Sequence, residues 1–185
     1  VAEHLANTTY EDLTPEAIEF AKKSILDTLG IMFPATTLAP TSTIVHDLVT
    51  CVDEGQTCMM VGYGERASLL GATFMNGSLT HAVDFDDSAG IERPLVHPTG
   101  SCFPAAMTLS EYLGDVTGRD LILAIALADD IGIRMADCVK GNILWDYDFF
   151  PITTIGVFEA TVAAAKLLNL DASQMVDALG LAVNR

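Results

Sequence analysis

Basic residues are scarce in this chain: its 185 residues include 9 Lys and Arg against 25 Asp and Glu, a formal net charge of −16 at pH 7. That scarcity excludes nucleic acid and anionic membrane surfaces as partners, because each needs a basic footprint. It also makes an anionic small molecule an awkward ligand for this segment by itself. Long apolar runs are missing as well. The run Leu121 to Ala128 stops at Asp129 and Asp130, well short of the roughly 20 residues of a membrane span. No basic segment leads into an apolar one near Val1, so no signal peptide is visible. Cys51, Cys58, Cys102 and Cys138 show neither Cys-x-x-Cys nor zinc spacing. A disulfide framework is therefore excluded, and reduced thiols in a soluble, cytoplasmic protein are expected. Repeats, low-complexity tracts and linkers are lacking too. The expectation is one domain, or a large part of one, long enough to bury roughly two thirds of its unfolded surface.

Apolar residues at helical spacing, by contrast, fill almost the whole sequence, and the fold class they predict is all-α. In one helix Thr14 is the N-cap, Pro15 the first helical residue, and Ile18, Ala21, Ile25 and Leu29 form a stripe that Gly30 ends. A second run from Ser42 stops near Gly55. The stretch "TCMMVGYGE" is strand-like but too short to found a sheet. From Ala67 to His81, Leu70, Phe74 and Leu79 with interleaved small residues predict a buried helix. Pro104 is expected to open a helix that Gly114 closes, and a long helix is expected from Arg119 to Val139. Thr153 or Thr154 would cap "IGVFEATVAAAKLLN", Asn169 suits a left-handed position, and Ser173 would cap a last helix cut at Arg185. A chain cut there is expected to be a piece of something longer.

The stretch "NGSLTHAVDFDDSAGIERPLVHPTG", residues 76 to 100, departs from this pattern by placing three aspartates within four positions between two histidines. A calcium loop fails, since Ala89 and Leu95 occupy the positions that need glycine and glutamate. A transition-metal site from His81, Asp84 and His97 is open, and so is a solvated acidic loop. Three features favour an acid–base pocket. Val83 and Phe85 tie the run to the core, Pro94 and Pro98 stiffen the return, and "HPTGS" supplies a histidine and hydroxyls just before a helix N-terminus whose free N–H groups attract anions.

At these residues the sequence resembles the MmgE/PrpD family, which holds 2-methylcitrate dehydratases, cis-aconitate decarboxylases and an iminodisuccinate epimerase. "AKKSILDTLGIMF", "GATFMNGSLTHAVDFDDS" and "PITTIGVFEATVAAAKLLNLDASQMVDALGLA" resemble its segments in order. The resemblance implies a helical lyase domain, a smaller α+β lid domain after it, a homodimer, and chemistry on di- or tricarboxylates with no metal, iron–sulfur cluster or other cofactor. It implies that Asp84 matches the site aspartate, Ser88 a site threonine and His97 the first site histidine. His97 and Asp84 are then the expected catalytic pair, with Ser88, His81 and Phe150 lining the substrate pocket. Two departures matter. Phe150 stands where the family commonly has a second site histidine, and the family's site lysines belong to a portion beyond Arg185.

Proton transfer beside a carboxylate calls for an imidazole, whose ordinary pKa of about 6.5 serves both acid and base work near neutrality. His97 is expected to exchange the proton, Asp84 to orient it or a substrate hydroxyl, and Ser88 to hold a carboxylate oxygen. The function expected first is 2-methylcitrate-type dehydration, a hydro-lyase reaction. Decarboxylation or epimerisation comes second, and the rival from another class is a catalytically silent helical assembly module.

Overall fold

The computed structural model describes residues 1–89, 96–138 and 151–184, with the backbone alone at Pro151. Eight α-helices are found among the described residues: α1 (Ala2–Asn7), α2 (Pro15–Leu38), α3 (Pro40–Val52), α4 (Leu69–His81), α5 (Pro98–Leu113), α6 (Gly118–Cys138), α7 (Pro151–Leu167) and α8 (Ala172–Ala182). A 3-10 turn, Tyr10–Asp12, precedes α2. The all-α class holds. Strand-like "TCMMVGYGE" forms half of a small antiparallel hairpin, β1 (Cys58–Met60) with β2 (Glu65–Ala67), Cys58 opposite Ala67. No described helix is long and apolar enough to cross a membrane.

Helix α5 is the centre of the domain, packed against α4, α6 and α7. It buries Cys102, Phe103, Ala106 and Leu109 among Met75 and Leu79 of α4, Ala124 and Leu127 of α6, and Val162 and Ala163 of α7. Gly77 on α4 faces this contact, where an added Cβ would sit at ordinary contact distance, 3.9 Å, from the Pro104 ring. The buried Asn76 fixes the hairpin to this centre. Its Oδ1 accepts from Val61 N at 2.9 Å, and its Nδ2 donates to Met59 O at 2.9 Å and Thr108 Oγ1 at 3.2 Å.

Several boundaries differ from the expected ones, each for a local reason. Gly30 does not end α2, because Ile31, Met32 and Ala35 continue the buried stripe past it and past Pro34. Pro104 does not open α5; it lies within the helix, six residues after Pro98 at the true start. A proline lacks the N–H that the carbonyl four residues back would accept, and Thr80 Oγ1 donates instead to that Gly100 carbonyl at 2.9 Å. The last helix is capped by Asp171 in a capping box with Gln174, not by Ser173. In α4 the buried face is Ala72, Met75, Asn76, Leu79 and Thr80, while Leu70 and Phe74 are exposed. Thr14 caps α2 and Asn169 is left-handed, φ 54°, as predicted. Phe150 and its aromatic neighbours lie outside the described residues.

Candidate acid–base site

The acidic stretch folds back on the start of α5 through a two-residue bridge. Ala89 and Val96 pair antiparallel, N to O at 3.0 and 3.1 Å. Val96 is buried with Ala136 of α6 and Ile155 of α7, which anchors the bridge to the core. Residues just outside a bridged pair face each other. Ser88 Oγ accordingly lies 3.3 Å from His97 Nδ1.

His97 is the N-cap residue of α5 and its side chain is only 14% exposed. Its Nδ1 lies 2.5 Å from the main-chain carbonyl oxygen of Asp87. A carbonyl can only accept, so Nδ1 carries the proton and Nε2 is left as the basic nitrogen of the neutral ring. His81, the last residue of α4, is oriented similarly: its Nδ1 donates to Asp86 Oδ2 at 2.7 Å. The same carboxylate oxygen is 3.8 Å from His97 Nδ1, and the two imidazole rings are 5.5 Å apart.

The three aspartates separate into distinct duties. Asp84 takes a left-handed conformation, φ 57°, and its N–H closes the end of α4 on the His81 carbonyl at 3.2 Å; its exposed side chain has no hydrogen-bond partner among the described residues. Asp86, its side chain 2% exposed, bonds His81 and keeps Oδ1 buried without a partner among the described residues. Asp87 accepts from the N–H groups of Thr99 and Gly100 at 3.2 and 3.3 Å, capping α5 from twelve residues upstream. Two expectations change. The pairing of Asp84 with His97 is replaced by the Asp87 carbonyl and Asp86. The free helix end proposed for an anion is already occupied by the Asp87 carboxylate. Phe85 is 68% exposed and does not tie the run to the core, whereas Val83 does.

Behind α5 lie two acids that sequence reasoning missed. Asp129 of α6 accepts from the Thr99 hydroxyl at 3.1 Å and from the Cys102 thiol at 3.4 Å. Burial, then the Asp87 charge, pushes its carboxyl up to about 7. Glu159 of α7 is pushed up to about 9, by burial first and then by Asp129. Burial also raises Asp87, and raises the Cys102 thiol well above its ordinary range, so Cys102 is no nucleophile. A signal for Glu159 was present: with Ile155, Val162 and Ala163 it shares one helix face, and all four are buried.

His81, Asp86 and His97 offer three ligand atoms within 4.8 Å of one another, a spacing a metal ion would accept. Here the Asp86 oxygen is already engaged by the His81 N–H, which is the arrangement of an acid–imidazole pair. A cavity of about 560 Å³ between Thr8–Glu11, Asp115–Asp120 and Lys166–Asn169 has both of its cations bound internally. Lys166 donates to the carbonyls of Leu5, Ala6 and Thr8, and Arg119 pairs with Glu11.

Known proteins place this chain in a family. The chain is similar to the cis-aconitate decarboxylase of Homo sapiens, 30% identical over 181 residues, which cover 93% of this chain and 36% of that protein. It is similar to the cis-aconitate decarboxylases of Mus musculus, 30% identical with 93% and 35% covered, and of Aspergillus terreus, 27% identical with 96% and 36% covered. The chain therefore spans about a third of the length of the curated relatives it matches. The family model for the MmgE/PrpD N-terminal domain matches residues 1–185, and the chain belongs to the MmgE/PrpD family.

Proposed function

We propose that this domain supplies the proton-transfer half of a cofactor-independent lyase for a small tricarboxylate, and that the reaction is decarboxylation of a cis-aconitate-type substrate. The observation that carries the reading is the fixed tautomer of His97, with Nδ1 held by the Asp87 carbonyl and Ser88 beside it. The names of the relatives support decarboxylation over dehydration. In such a step the bond from carbon to the leaving carboxylate breaks and CO2 departs. The electron pair of that bond forms a new C=C, the pair of the original C=C moves to its far carbon, and that carbon takes a proton. Protonated His97 gives that proton from Nε2 and regains one from water. Ser88 holds a carboxylate oxygen, and Asp84, in the turn after α4, carries an exposed carboxylate with no partner among the described residues. Because Asp87 fills the helix end, the substrate's charge is met by imidazolium and by cations from the rest of the protein.

A second reading, dehydration of a 2-methylcitrate-type substrate, draws on the 5.5 Å spacing of the two rings, since elimination of water needs one group for each proton. The full-length protein decides between them. CO2 released from cis-aconitate is the expected result; water loss from 2-methylcitrate without CO2 would favour dehydration. Neither activity, with no effect of His97→Ala on any tricarboxylate, would leave the silent assembly module. Four free thiols fit a cytoplasmic setting. The exposed strip Ile44, Leu48, Val52, Leu70 and Phe74 fits a homodimer surface, to be checked by light scattering.

A further inference from the structure

Three carboxyl groups from three different elements hold the first turn of α5, the turn that His97 begins. Asp87 holds the Thr99 and Gly100 amides, and Asp129 holds the Thr99 hydroxyl and the Cys102 thiol. The Glu159 carboxyl and the Ser101 hydroxyl meet beside Gly156, where an added Cβ would lie 3.8 Å from Glu159 Oε2 and 2.5 Å from Ser101 Oγ, and Ser101 Oγ lies 3.3 Å from the main-chain carbonyl oxygen of His97. Two glycines make the room. A Cβ on Gly132 would fall 1.7 Å from Glu159 Oε1, and one on Gly156 would fall 2.5 Å from Ser101 Oγ.

The titratable groups that face Glu159 and its neighbours are Asp129 from α6, Asp87 from the loop after α4, Cys102 from α5 and, across Asp87, the His97 imidazole. Glu159 is 1% exposed and its Oε1 is buried with no hydrogen-bond partner among the described residues. An ionised carboxylate there would keep a charged oxygen without a donor, which burial penalises far more than a neutral carbonyl oxygen.

We propose that Glu159 is a positioning residue that works as a neutral acid, donating its O–H to Ser101 so that the single Ser101 hydroxyl proton can bond the His97 carbonyl. Loss of the Glu159 proton reverses the chain: Ser101 then donates to the carboxylate, and the His97 carbonyl loses its side-chain donor. One proton on α7 thereby sets how firmly the residue bearing the imidazole is held. The inference deepens the lyase reading by naming a residue that serves His97, and its physical core, a neutral buried acid bonded to Ser101, is testable apart from turnover.

The test uses the full-length protein with Glu159→Gln, Glu159→Ala and Gly132→Ala, the last displacing the Glu159 carboxyl. Infrared spectra near neutral pH are expected to show the C=O band of a protonated buried carboxyl that disappears in Glu159→Gln. Absence of that change overturns the proposal, whatever the protein turns over. In kinetics the Gln side chain, whose amide also donates, is expected to keep kcat within about threefold, and Glu159→Ala and Gly132→Ala to lower it by about tenfold or more with KM little changed. Beyond the fall that follows loss of the His97 proton, wild-type activity should show a second alkaline limb as Glu159 ionises towards about 9, and Glu159→Gln should lack that limb. A Gln variant as poor as the Ala variant, or one that keeps the limb, overturns the proposal. If the wild type turns over no tricarboxylate, the lyase reading fails while the infrared result still decides this one.

Discussion

His97 Nδ1 donates to the main-chain carbonyl of Asp87, not to a carboxylate. The tautomer is thus set by the backbone, and no single side-chain deletion nearby removes the proton acceptor. In the full-length protein, His97→Gln is expected to lower turnover of the tricarboxylate by about 10²- to 10⁴-fold, the range of a positioned acid or base. Ser88→Ala removes one hydroxyl contact and should cost about tenfold. Steady-state CO2 release measures both, and equal effects of the two variants would count against the assignment.

The three aspartates should respond differently. Asp87→Ala strips the cap from α5 and is expected to lower stability by about 1–2 kcal/mol, read by urea unfolding. Asp84→Asn, at an exposed side chain and with a residue that tolerates the left-handed backbone, should leave stability within about 0.5 kcal/mol while lowering kcat/KM. A stability loss at Asp84 as large as that at Asp87 would contradict this division.

Stability should fall as pH rises through the neutral range. Folding raises Glu159 from 4.5 to about 9 and Asp129 from 3.8 to about 7, so the folded state binds protons that the unfolded chain has released. Their contribution is complete below the unfolded values and lost as pH climbs to the folded ones. Calorimetry is expected to show Tm declining between about pH 5 and 9, with the part above about pH 7 flattened in Glu159→Gln. An unchanged upper decline in that variant would mean that Glu159 is ionised when folded.

Chelation distinguishes the two uses of His81, Asp86 and His97. As an acid–imidazole cluster it needs no metal, so dialysis against EDTA should leave turnover intact. A loss that added zinc restores would reassign the three side chains as ligands.

Much of the helical order was legible because period and punctuation are local properties: Thr14 caps α2 and Asn169 turns left-handed where the sequence places them. Boundaries failed where tertiary contacts rescue a local defect. Pro104 reads as a helix opener until Thr80 supplies a donor to the carbonyl it orphans. Leu70 and Phe74 read as buried because hydrophobicity alone cannot tell a core face from an exposed apolar one.

The sequence by itself determined that ionisable groups gather in residues 76 to 100, with His97 and Ser88 among them, and that basic residues are scarce. Only the tertiary structure decided which aspartate does what. Three acids in four positions are equivalent in a linear reading, and their duties follow from the Ala89–Val96 bridge, which brings Asp86 towards His97 and Asp87 onto the end of α5. Asp129 and Glu159 were likewise visible as letters and silent as chemistry. Their protons depend on burial against one another across α5, α6 and α7, a distance in space that no spacing in the chain encodes.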